Sequence, residues 1–77
     1  MSRLIPEKNH KRTLTKKGSK YYVVSTGYSV DYGWQTMVYE AGANSRITND
    51  DPVFNIGWEN EREAMKEHKS VVWKYTG

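Results

Sequence analysis

The stretch YYVVSTGYSV, residues 21–30, decides the fold, because its apolar and polar side chains alternate along ten positions. One side of the repeat carries Tyr22, Val24, Thr26, Tyr28 and Val30, and the other carries Ser25, Gly27 and Ser29. A period of two residues in a segment rich in β-branched and aromatic residues predicts a half-buried β-strand. Such a strand needs a pairing partner, which the flanking sequence should supply.

The partner is predicted directly after a turn at Asp31-Tyr32-Gly33, where WQTMVY, residues 34–39, reads as the return strand. A hairpin loop with an even number of residues pairs Tyr28 with Met37. Because side chains alternate between faces, that pairing gathers nearly all the large apolar residues on one face. We therefore expect an even-length loop, although Tyr-Gly is not a preferred two-residue hairpin turn.

A further strand and a helix follow. VFNIGW, residues 53–58, predicts a third strand, and Asn60 with Glu63 three positions on predicts a helix N-terminus with a capping box. At about 100° per residue, one helix face within an arc of roughly 120° collects Ala64, Met65, His68, Val71, Val72 and Tyr75. The sequence thus predicts an α+β fold: a small three-stranded antiparallel sheet, beginning with an N-terminal hairpin, packed by one C-terminal helix.

The positive charge is concentrated at the start of the chain. Residues 1–20 carry seven Lys or Arg against one Glu, whereas residues 21–77 carry five against eight Asp or Glu. We predict a basic, flexible arm at residues 1–18 and a single ββ(β)α domain at residues 19–77. The arm either neutralises nucleic-acid phosphates or an acidic protein surface, or is a charged terminus that maintains solubility. Its nucleic-acid-binding candidates are Lys8, Lys11, Arg12, Lys16, Lys17 and Lys20.

Composition argues against most catalytic and metal chemistry. The absence of cysteine excludes disulfides, thiolate zinc sites and a cysteine nucleophile. The two histidines, His10 and His68, lie far apart, and His68 is better interpreted as a hydrogen-bonded histidine between helix and sheet than as a general base. No glycine-rich phosphate loop opens the helix. We predict a non-enzymatic protein without metal or cofactor.

No segment predicts membrane insertion. The longest apolar runs fall far short of the ~20 residues that span a bilayer. The first residues, Met1 to Pro6, show no signal-peptide core. We expect a cytoplasmic protein.

Three aromatic residues are candidates for protein binding: Tyr32, Trp34 and Trp73. Trp73 falls roughly 180° from Ala64, on the polar side of the helix, unless the helix ends early and returns Trp73 to the domain. Trp34 falls on the sheet face away from the helix in the even-loop register.

That uncovered face has two interpretations. Trp34, Val38 and Val23 form an exposed patch there, or the N-terminal arm covers them with Leu4, Ile5 and Leu14.

Two groups of motifs resemble a known group of proteins. The first is VST at 24–26, then Asp31, then GWQTMVY at 33–39; the second is Glu63-Ala64, His68 and Val71-Val72. Together they resemble short, uncharacterised proteins of tailed phages and prophages with the pattern V-S-T…D-x-G-x-E-T-M-V-F…E-E-A-x-x-G-H. The resemblance covers roughly residues 20–75. This chain departs from the pattern at Gln35, Tyr39, Arg62 and Glu67.

The resemblance implies a phage or prophage gene acting inside a bacterial host cell, and it implies no activity. The leading hypothesis is a phage- or prophage-encoded binding protein that modulates a host or phage protein, as a monomer or weak homodimer. The alternative is a nucleic-acid-binding module that uses the basic arm. A further alternative is a structural or assembly component of the phage particle.

Overall fold

The computed structural model describes residues 11–77, which form four strands and one helix. The strands are β1 (Lys11–Lys17), β2 (Lys20–Ser29), β3 (Gly33–Ala41) and β4 (Phe54–Trp58), followed by helix α1 (Glu61–Lys74). The strands pair antiparallel with their chain neighbours, in the order β1-β2-β3-β4. The helix lies across one face of the sheet, mainly over β2 and β3. The α+β class and the C-terminal helix are confirmed.

The predicted number of strands was wrong, because the segment KRTLTKK forms β1 along the edge of the sheet. Sequence reasoning assigned these residues to the basic arm. A two-residue loop, with Gly18 at φ 64°, returns the chain from β1 to β2. Edge strands tolerate exposed lysines, which discourage pairing with other chains, so a high charge did not prevent strand formation here.

The predicted hairpin register was also wrong. Ser29 pairs with Gly33 across a three-residue loop, so Thr26 faces Thr36 and Val24 faces Val38. Gly33 adopts φ 72°, the left-handed conformation that closes three-residue hairpin loops. The Ser29 hydroxyl accepts hydrogen bonds from the backbone N–H groups of Asp31 and Tyr32, at 3.2 and 3.1 Å. These local bonds stabilise the odd-length loop.

The register places small side chains under the middle of the helix. Val24 and Val38 are 0% exposed and pack with Val71, whereas larger rings surround them at the edge of this core: Tyr22, Phe54, Trp58 and Tyr75. A helix can approach the sheet closely only where valine and threonine leave room.

The exposed patch predicted on the uncovered face does not form as expected. Val38 is buried beneath the helix, and Trp34 lies on that same face opposite Trp58. Of the three predicted patch residues, Val23 alone lies on the far face, where it is fully buried in a row between Leu14 and Tyr39. Leu4 and Ile5, the predicted cover of that face, lie outside the described residues.

The predicted helix start and packing face are confirmed. The Asn60 side chain accepts a hydrogen bond from the N–H of Glu63 at 2.8 Å, and the Glu63 carboxylate accepts from the N–H of Glu59 at 3.0 Å. The reciprocal bond of the capping box therefore reaches one residue further back than expected. Ala64, His68 and Val71 are the buried helix residues.

Gly33→Ala is expected to lower the free energy of unfolding by about 1 kcal/mol, because a Cβ atom is strained at positive φ. Gly57→Ala is the matched control: its Cβ would meet only the Trp34 carbonyl oxygen, at 3.8 Å, without a positive φ. Urea denaturation should give a lower midpoint for Gly33→Ala alone. Equal midpoints would contradict the three-residue loop.

Candidate binding surfaces

A chain of polar side chains is buried between the helix and the sheet. The members of this buried polar chain are Trp58, Thr36, Thr26, His68 and Thr13. The Trp58 indole N–H donates to Thr36 Oγ1 at 2.9 Å, and the hydroxyls of Thr36 and Thr26 lie 2.6 Å apart. Thr26 Oγ1 lies 2.6 Å from His68 Nδ1, and Thr13 Oγ1 lies 2.9 Å from His68 Nε2.

The directions of these hydrogen bonds follow from Trp58, which can only donate. If Thr36 accepts from Trp58, its own proton can go to Thr26, and the Thr26 proton can go to His68 Nδ1. His68 then carries its proton on Nε2 and donates it to Thr13. In this head-to-tail order the protons of Trp58, Thr36, Thr26 and His68 all have acceptors, and the one left over within residues 11–77 belongs to Thr13, which is only half-buried. The reverse order instead leaves the proton of Thr36, which is 0% exposed, without an acceptor among residues 11–77. We assign the Nε2–H tautomer on this basis.

The histidine has a structural position. Its side chain is 1% exposed and both ring nitrogens contact threonine hydroxyls, so a substrate cannot reach it in this conformation. The expectation of a hydrogen-bonded histidine between helix and sheet is confirmed. The buried polar chain thus connects each of the four strands to the helix through side-chain hydrogen bonds.

The structure separates the three aromatic binding candidates. Tyr32 is 71% exposed in the β2–β3 loop, and Trp34 is half-buried beside Tyr28, with ring centroids 5.5 Å apart. Trp73 is 79% exposed at the other end of the domain, where the chain end pairs with the β1–β2 loop. Strand β2 connects these ends over about 30 Å. Tyr32 and Trp34 can contribute to one surface, and Trp73 belongs to another.

The β2–β3 hairpin ends in a surface that we call the hairpin tip, made of Tyr28, Val30, Tyr32 and Trp34. Val30 and Tyr32 are each 71% exposed and Tyr28 is 38% exposed. The tilted contact between Tyr28 and Trp34, and the Trp34–Trp58 strand pair, support the tip from the sheet. Asp31, between the two most exposed residues, adds a negative charge.

The predicted nucleic-acid-binding cations do not share one face. Arg12 and Lys16 lie on the face away from the helix, where Arg12 donates to the Ser45 carbonyl at 2.9 Å and Lys16 lies 5.6 Å from the centre of the Tyr21 ring. Lys17 lies on the helix side and donates to the Lys74 carbonyl at 3.1 Å. Lys11 and Lys20 are exposed, and Lys8 lies outside the described residues.

Sequence reasoning did not recognise another set of cations as a site. We call it the helix stripe: Arg62, Lys66, Lys69 and Trp73, all exposed on the outer side of α1. At about 100° per residue the four positions fall within an arc of about 60°. Within residues 11–77, none of the three cations makes an ion pair or a side-chain hydrogen bond. The spacing was visible in the sequence, but only the fold shows that the three cations have no partners among residues 11–77.

Two further features, the Tyr39 phenol and an open surface depression, offer little for binding or catalysis. Burial, and secondarily the charge of Asp50, raises the pKa of the Tyr39 phenol above its ordinary value of 10.0, and the phenol donates to Met37 Sδ at 2.9 Å. Because the folded state holds this proton more tightly, the effect destabilises the fold only as pH rises past about 10. An open depression of about 270 Å³ lies between Lys20, Tyr21, Glu40 and Thr48.

The described part of the chain contains neither a cluster of metal-binding side chains nor a membrane-spanning helix. Residues 11–77 contain no group of three His, Asp or Glu side chains placed to hold a metal ion. No helix in the same range combines the length and apolar character needed to cross a membrane.

Comparisons with protein-family models, with curated proteins and with solved structures found no match to this chain. The resemblance to phage and prophage proteins therefore stays a prediction from the motifs at residues 24–39 and 63–72.

Proposed function

We propose that this protein is a phage- or prophage-encoded, non-enzymatic binding protein that modulates a host or phage protein through its hairpin tip. The observation that carries the proposal is the 71% exposure of both Val30 and Tyr32 on a short, braced loop. Tyrosine and tryptophan are enriched among the residues that dominate binding energy at interfaces. The two backbone hydrogen bonds to the Ser29 hydroxyl restrict the loop, and a restricted loop loses less conformational entropy on binding.

The tip indicates the chemistry of its partner. Val30 and Tyr32 present apolar surface on either side of the Asp31 carboxylate. A complementary surface would be an apolar pocket whose rim carries a lysine or arginine. Such a pocket would cover the valine and the tyrosine ring while the cation pairs with Asp31.

Tyr32→Ala is expected to weaken binding of the partner at least about 30-fold, the effect of losing an interface residue worth about 2 kcal/mol. The measurement is capture from nuclease-treated bacterial lysate by tagged full-length protein, followed by titration of the recovered partner. Val53→Ala is the matched control, because Val53 is 46% exposed outside the tip. Both variants should keep the wild-type unfolding midpoint.

Three results would overturn this site. They are a partner that binds Tyr32→Ala as well as wild type, capture that disappears with nuclease, and a protein that recovers only itself. The last would support the structural or assembly role. An equal loss of binding in Val53→Ala would overturn this site too, because the effect of Tyr32→Ala would then not be specific to the tip.

A further inference from the structure

Charge is segregated on helix α1 in a way that does not favour helix stability. Arg62 and Lys66 are four residues apart, and Lys66 and Lys69 are three apart, so neighbouring side chains on the outer face carry like charges. Arg62 also lies in the first turn, where the helix dipole disfavours a cation. Helix stability would instead favour alternating glutamate and lysine at these spacings. Local choices that oppose stability often mark a functional surface.

The same face carries the most exposed large apolar side chain of the described residues. Trp73 is 79% exposed and lies four residues after Lys69, at the end of the line of cations. Trp73 lies eleven positions after Arg62, which gives the stripe a length of about 16 Å. A stacked nucleic-acid strand of that length contains about five nucleotides.

We propose that the helix stripe binds single-stranded nucleic acid: Arg62, Lys66 and Lys69 pair with successive phosphates, and Trp73 stacks on a base. A line of cations that have no partner within residues 11–77 matches a phosphate backbone, and an exposed indole offers a flat surface for any base. An acidic protein surface would pair with the cations alone, whereas a single strand offers both phosphates to the cations and unpaired bases to the indole ring. This site is independent of the hairpin tip, so either proposal can fail without the other.

The test is fluorescence anisotropy with a labelled twelve-nucleotide thymidine strand and full-length protein, at low and physiological salt. The triple variant R62Q/K66Q/K69Q should lose most of the affinity, and the slope of log K against log salt should decrease in magnitude by about 2. Trp73→Ala should bind roughly 5- to 100-fold more weakly. Removing like-charge neighbours should leave the unfolding midpoint of the triple variant unchanged or higher.

The comparison variant is K11Q/K20Q/R46Q, which removes the same charge from exposed positions outside the helix and includes two cations of the competing site predicted from the sequence, Lys11 and Lys20. Strong binding by this comparison variant, together with weak binding by the helix triple variant, would support the stripe. Equal losses would show that net charge alone attracts the strand, and a greater loss in the comparison variant would place the site on β1 and β2. Either result would overturn the proposal, as would no binding at low salt.

A second set of measurements tests whether Trp73 stacks on a base. A duplex of the same sequence, or polyglutamate, that binds as tightly as the single strand would overturn the stacking role. Unchanged affinity in Trp73→Ala would do the same. The stacking role is supported if the duplex and polyglutamate both bind more weakly than the single strand, and if Trp73→Ala removes this preference.

Discussion

Replacing His68 with alanine is expected to lower the free energy of unfolding by about 3 kcal/mol or more. The substitution opens a cavity at a position that is 1% exposed, and large-to-small changes in a core typically cost about 2–5 kcal/mol. It also removes a hydrogen-bond partner from both Thr13 and Thr26. A buried hydroxyl left unsatisfied costs about 1–3 kcal/mol.

The expected loss is a large part of the total stability. At about 0.05–0.15 kcal/mol per residue, a domain of this size has roughly 4–12 kcal/mol available. Urea denaturation followed by tryptophan fluorescence should show a greatly reduced midpoint or no folded baseline. His68→Gln, which keeps polar atoms near the two threonines, should lose less. Ser70→Ala, at an exposed position two residues on, should change stability by less than about 0.5 kcal/mol.

A loss below about 1 kcal/mol in His68→Ala would contradict the structural role of the buried polar chain. Thr26→Val offers a second check, because it keeps the volume and removes the central hydroxyl of the chain. That variant would break the contacts to both Thr36 and His68. Its destabilisation should be smaller than that of His68→Ala and larger than that of a surface substitution.

Val38→Lys is expected to unfold the domain, and it separates the two hairpin registers. In the structure Val38 is 0% exposed beneath the helix, where an ammonium group would have no water and no partner. In the even-loop register Val38 would face solvent, and lysine would be tolerated. Circular dichroism at low temperature should therefore show little folded protein in Val38→Lys.

The control for this substitution is Asn55→Lys. Asn55 is exposed on β4, opposite Met37 on the other face of the sheet. A lysine there adds the same charge without burial, so the domain should stay folded with a near wild-type midpoint. A folded Val38→Lys variant would contradict the observed register.

Part of the sequence motifs from which a phage origin is predicted lies in the interior of the domain. Thr26, Thr36 and His68 belong to the motifs that carry the resemblance, and all three are members of the buried polar chain. Val38 and Val71, also in those motifs, form the apolar core with Val24. Those five positions thus lie where the helix packs on the sheet. Other matching positions lie elsewhere: Asp31 is exposed in the hairpin loop between Val30 and Tyr32, and Met37 lies on the far face of the sheet.

Local signals were sufficient for much of the architecture. Alternation over residues 21–30 indicates β2 because the side-chain period of a strand is visible in any single strand. The Asn60 cap and the helical spacing of Ala64, His68 and Val71 indicate α1 and its buried face, because both signals lie within the helix segment itself. Of the two interpretations that the sequence left open for Trp73, the structure shows exposure, because the helix continues to Lys74 and Trp73 is 79% exposed.

Strand register and the partners of the cations could be determined only from the folded chain. The β2–β3 register depends on the backbone conformation of Gly33 and the bonds to Ser29, neither of which hydrophobic spacing reveals. Strand β1 was not predicted, because a charged edge strand has the same composition as a solvated chain terminus. Whether a cation is paired depends on residues distant in sequence: Arg12 reaches Ser45, while Lys66 has no partner within residues 11–77. Side-chain period is a local property of the chain, but register and charge pairing arise only when distant segments meet.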